Sequence, residues 1–133
     1  MCLCLQHVNA QNENIKNYQL ASSSMSTGRE LGTAIYVHNK VTYNKINFNQ
    51  SKFQISAVRL HLPDNKFITI CNIYNQPNEN YDLGEIPNIL SRFEQPILLL
   101  GDFNAHSPLW DNSAEDADGP GRKIEDLIVN SNY

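Results

Sequence analysis

Residues 53–74 constrain the fold more than any other stretch of this chain. FQISAVRLHL and FITICNIY are rich in β-branched and aromatic residues, and Pro63, Asp64, Asn65 and Lys66 separate them. Runs of that kind read as strands, and Pro, Asp and Asn within four residues read as a turn. The segment therefore predicts a hairpin of strands 53–62 and 67–74. A lone hairpin is marginal in water, so the rest of the chain must cover its faces and extend its edges.

Three further segments read as strands. They are residues 2–6 (CLCLQ), residues 32–38 (GTAIYVH) and the fully apolar, buried run 97–100 that ends at Gly101. Residues 84–93 read as a helix, with Ile86, Ile89, Leu90 and Phe93 on one face and Pro87 early enough for a first turn. Residues 122–129 read as a short amphipathic helix. Residues 9–30 read as polar loop with one ordered patch near 15–20, and residues 113–121 as acidic loop. Hairpin, helix, buried strand, loop, helix is an α/β order. A first strand at residue 2, and a last helix with no strand after it, predict one partial domain over residues 1–133, truncated at both ends.

Composition narrows the function. The length, 133 residues, suits one domain, and 41% hydrophobic with 18% charged residues allows a buried core. No apolar run is long enough to span a bilayer, and MCLCL lacks the basic start and length of a secretory signal. Three cysteines without metal-type spacing argue for a reducing compartment. The expectation is an intracellular protein, nuclear or cytoplasmic, not secreted and with no membrane partner. Asparagine, at 18 copies, is the commonest residue and points to A/T-rich codons rather than to a function. Residues 1–75 carry seven basic and three acidic side chains, residues 76–133 three basic and eleven acidic. Holding nucleic acid by charge alone would need a basic surface throughout. An enzyme that handles phosphate through a metal ion can be acidic, because the ion supplies the positive charge.

The sharpest motif is GDFNAHSPLW, residues 101–110. An apolar strand ends and an acid follows, at the kind of strand end where α/β proteins place ligands. Asp102 and Asn104 are two apart and would share a side in extended geometry. An Asp there can orient or deprotonate a water, and an Asn can donate to a phosphate oxygen as charge develops. The same residues also favour a plain turn, and the spacing leaves both readings open.

GDFNAHSPLW resembles the corresponding segment in endonuclease domains of Jockey-like non-LTR retrotransposons, within the endonuclease/exonuclease/phosphatase superfamily. GDFN marks the superfamily, and Ala105-His106 with Pro108-Leu109-Trp110 marks the retrotransposon branch. Residues 32–38, ICNIYNQP at 70–77 and GRKIEDLIV at 121–129 resemble family segments in the same order. The resemblance implies part of a four-layer α/β sandwich of the deoxyribonuclease I type, with two mixed sheets and flanking helices. It implies magnesium-dependent hydrolysis of a DNA phosphodiester, nicking the target strand so that a reverse transcriptase in the same polypeptide can be primed. Asp102 would activate the water, and Asn104 and Tyr74 would hold the scissile phosphate as catalytic and substrate-binding residues. His106 would serve the loop or touch DNA, Trp110 would pack, and Asn72 would be a buried amide. His38 and His61 would be structural or exposed. The family's metal-binding Glu follows a Leu-Gln pair that Leu5-Gln6 matches, but His7 stands next here, so the metal ligands are unassigned. The family's first strand, with its Asn, would precede residue 1, and its later Asp and closing Ser-Asp-His would follow residue 133. An inactive remnant of such a domain, or a phosphatase of the superfamily, are the alternatives.

Overall fold

The computed structural model describes residues 1–8, 14–25, 32–48, 52–77 and 82–130. Its elements are β1 (Cys2–Val8), β2 (Tyr18–Met25), β3 (Gly32–His38), β4 (Tyr43–Ile46), β5 (Gln54–His61), β6 (Phe67–Tyr74), α1 (Ile86–Leu90), β7 (Ile97–Asp102) and α2 (Gly119–Asn130), with a 3-10 turn Leu83–Glu85 leading into α1.

β5 and β6 form the expected hairpin, paired antiparallel from Gln54↔Tyr74 to His61↔Phe67. Asp64 and Asn65 both have left-handed backbones, φ 60° and 57°. Two such residues make the turn whose twist matches a hairpin, and Asp and Asn tolerate them. The hairpin sits in the middle of a four-stranded sheet, β4-β5-β6-β7, in which β7 runs parallel to β6. A second sheet, β1-β3-β2, is antiparallel throughout.

Alternation along each strand sorts the core into layers. Ile55, Ala57, Cys71 and Ile73 face Leu83, Ile86, Ile89, Leu90, Phe93 and Ile124, so α1 and α2 cover one face of the larger sheet. Val58, Leu60 and Ile70 face Ala21, Ile35 and Val37 across the gap between the sheets. Ala34 and Tyr36 lie on the far side of the smaller sheet with Leu3, Leu5 and Tyr18. The apolar face expected for α1 is the face that is buried, and Pro87 occupies its first turn.

Several expectations are corrected. Residues 18–25, read as loop beyond an ordered patch, form β2. The run of serines has little strand preference, and pairing with β3 overrides it. β4 was not foreseen, because four residues give too short a pattern to register. Residues 97–100 are apolar but not fully buried. β7 is the edge of its sheet and none of its residues is buried, because one flank has no strand neighbour among the described residues. α2 begins at Gly119, before the expected 122, since Pro120 and Gly121 fit a first helical turn. Helix over 84–93 is confined to Leu83–Leu90. Only the larger of the two sheets is mixed, and among the described residues helices cover one outer face rather than both. No described helix is long and apolar enough to cross a membrane.

Candidate functional site

The parallel register of β6 and β7 puts Tyr74 opposite Asp102 at the same sheet end. Gly101 makes this approach possible, because a Cβ there would lie 2.1 Å from the Ile73 carbonyl oxygen. Asn75 then ties the two strand ends together. Its N–H donates to the Asp102 carbonyl at 2.8 Å, and its side-chain amide donates to the Phe103 carbonyl at 2.8 Å. Its own carbonyl accepts from Asn104 Nδ2 at 2.7 Å.

Tyr74, Asp102 and Asn104 are thus brought together, but not as the two-residue spacing suggested. Asn104 has φ 44°, so the chain turns out of the strand instead of continuing extended. Asp102 Oδ1 accepts the Asn104 N–H at 3.0 Å, which makes the segment an Asx turn. The turn reading and the convergence both hold, and one amide N–H of Asn104 is committed to Asn75. Asp102 is exposed and Tyr74 is buried.

The loop after Asn104 is closed by Asp118. Its Oδ1 accepts the N–H of Gly121, capping α2, and also that of His106 at 3.2 Å. The Asp118 N–H donates back to the His106 carbonyl at 3.0 Å. Ser107 is buried and donates to Glu125 of α2. The His106 ring is exposed, and its Nδ1 lies 3.0 Å from Asp111 Oδ2. The hydrogen bond to Asp111, helped by the charge of Asp118, raises the His106 pKa above its ordinary value. Hydrogen bonds from the Ser113 hydroxyl and from His106 lower Asp111 to about 2. Trp110 is 43% exposed, and its Nε1 donates to the Ala105 carbonyl at 3.0 Å. Its packing is therefore partial. His38 accepts from the Lys40 N–H at 3.2 Å and His61 pairs with Asn44 at 2.5 Å, so both are local to their strand ends.

Behind Asp102 the gap between the sheets turns polar. Gln54 and Ser56 share the face of Val58, Asn72 and Tyr74 that of Ile70, and Thr33 that of Ile35. Asn72 is the buried amide expected. Its Nδ2 donates to the Leu5 and Ala34 carbonyls at 3.0 and 3.3 Å, and its Oδ1 accepts from Gln6 at 2.5 Å. Thr33 Oγ1, Ser56 Oγ and both amide atoms of Gln54 are buried without a hydrogen-bond partner among the described residues. Gln6 entered the sequence reading only through the Leu5-Gln6 pair, and Thr33, Gln54, Ser56 and Asn75 carried no role there. A polar residue on the inward phase of an otherwise apolar strand, as at Gln54 and Ser56, was the available signal.

Magnesium prefers hard oxygen ligands with one or two carboxylates. The partnerless atoms here are neutral amide and hydroxyl groups, and among the described residues lining this end Asp102 is the carboxylate. No three His, Cys, Asp or Glu come together among the described residues so as to hold a metal. The side chain of His7, matched to the expected metal-binding Glu, lies outside the described residues. Among the described residues, the donor set therefore does not by itself make a magnesium site.

Comparison with known proteins bears on this geometry at one point. Residues 68–133 match the family model described as endonuclease-reverse transcriptase, a segment that begins in β6 and includes Tyr74, Asp102, Asn104 and α2. Among curated proteins the chain has no match.

Proposed function

We propose, from the match of residues 68–133 to the endonuclease-reverse transcriptase family model, that this chain is part of a DNA-nicking endonuclease domain of a non-LTR retrotransposon, working beside a reverse transcriptase. The two packed sheets would then be part of a deoxyribonuclease I-like sandwich. The observation that carries the reading is the register of the parallel pair, with Tyr74 opposite Asp102 and Asn104 turned back across both strand ends.

The chemistry asked of these groups is hydrolysis. A water oxygen bonds to phosphorus as the P–O bond to the leaving strand breaks. Asp102 accepts a hydrogen bond from that water and then its proton. The Tyr74 hydroxyl and the remaining amide N–H of Asn104 donate to the non-bridging oxygens, where charge builds up. Those donors are neutral, and hydrolysis of this kind needs a cation against the developing charge. With Asp102 the carboxylate among the described lining residues, we propose a second statement, that this polypeptide alone does not nick DNA. Supercoiled-plasmid relaxation, with and without EDTA, should show no nicking above an Asp102→Ala control. Nicking that both EDTA and Asp102→Ala abolish would overturn that statement and make the chain a complete nuclease.

Phosphate placement is tested separately. A carboxylate about 4 Å from a phosphate costs on the order of 1 kcal/mol in water, so Asp102→Asn should tighten DNA binding about fivefold at low salt. Fluorescence anisotropy of a labelled oligonucleotide measures it. Unchanged affinity would mean that no phosphate sits beside Asp102.

A further inference from the structure

A cavity of about 410 Å³ opens beside Asp102, and the hydrolysis described above leaves much of its wall unused. Trp110 lines it, together with Asn104, His106 and two residues of α2, Ile124 and Ile128. The indole is held to the Ala105 carbonyl by its N–H, so an aromatic surface that remains 43% exposed is anchored in place. With the scissile phosphate placed at the Asp102 end, a second anion is a poor occupant of the rest. Asp102 is on the wall, His106 is already paired with Asp111, and Asp118 binds the His106 backbone. What remains is one aromatic surface, an aliphatic wall, and an amide and an imidazole between them. That set suits a flat, neutral ring with hydrogen-bonding edges, and the volume falls within the range of small-molecule pockets.

We propose that this cavity takes one unpaired nucleobase of the DNA strand, stacked on Trp110 with Asn104 and His106 at its edge. The inference rests on the reading that this chain handles DNA, and it narrows the substrate to a strand with a base free of its partner. A base within a duplex has its faces covered by neighbours and cannot present one to an indole. Base–aromatic stacking tolerates any base, so the subsite sets substrate form rather than sequence.

Trp110 is the chain's single tryptophan, so its emission reports this cavity alone. The full chain is titrated with three probes: a single-stranded oligonucleotide, the same backbone with abasic sites, and a perfect duplex. Binding is followed by anisotropy and by tryptophan emission. The single strand should bind and quench Trp110, whereas the abasic strand and the duplex should leave the emission unchanged. Trp110→Ala should weaken single-strand binding about tenfold, within the range of one base–aromatic stack. Trp110→Phe, which keeps an aromatic surface, should recover most of that loss. Binding of the single strand with unchanged emission would overturn the subsite and leave the endonuclease reading standing. Equal quenching by the abasic strand would also overturn it. Failure of all three probes to bind would remove both.

Discussion

His106 and Asp111 hold each other's charge, and the consequence is a pH window. The His106 pKa is raised, so the stability this contact contributes is fully present below the ordinary histidine value and is lost as pH rises through the raised one. Asp111 is lowered to about 2, so its contribution is present above the ordinary aspartate value and is lost as pH falls through about 2. The pair is intact between those limits. Both groups lie at the surface, so the effect on global stability is small and solvent-screened. The local signature is measurable. Asp111→Asn should move the His106 pKa back toward its ordinary value in an NMR titration of the imidazole. A His106 pKa unmoved by that substitution would mean that Asp111 is not the main cause.

The loop 103–118 and α2 act as one element, because two contacts leave no room between them. A Cβ on Gly121 would lie 1.9 Å from the His106 carbonyl oxygen and 2.9 Å from Asp118 Oδ1. Gly121→Ala must push the helix off the loop and should cost about 3 kcal/mol, at the upper end of ordinary overpacking. Gly119→Ala, with nothing within 4 Å of the added carbon, should be close to neutral in the same urea titration. Equal costs for the two would show that the close approach does not hold in solution. Such tight junctions also mark the limit of what could be read beforehand. The hairpin was legible because its two strands and its turn each carry their own signal, and so was the apolar face of α1. Tyr74 and Asp102 could each be recognised as a strand end, but their parallel register comes from packing and no local pattern encodes it. β2 was missed because serines identify no strand until β3 pairs with them. Asn75 and Asp118, which bind the site together, look in the sequence like any other loop Asn and Asp.

At the scale of the molecule, β7 forms a sheet edge with no strand neighbour on its outer flank among the described residues. β7 pairs on one side only among the described residues, and Leu98 on it is 44% exposed, with Trp110, Ile128 and Val129 exposed as well. An apolar strand edge is a template for pairing with another chain. The isolated chain should associate as its concentration rises, and Leu98→Lys should reduce this, with light scattering after size-exclusion chromatography as the measure. A monodisperse monomer at every concentration would show that the edge is covered in solution. The two sheets meet through two kinds of surface. Away from the site they share aliphatic side chains, and that half closes like a dry seam. At the Asp102 end the seam includes hydroxyls and an amide that have no partner among the described residues, with Asn72 as a clasp between the sheets. The two sheets are therefore packed tightly at one end of their junction and tied by few polar contacts at the other. Backbone amides at the Asp102 end should exchange before those at the far end, which hydrogen exchange would measure.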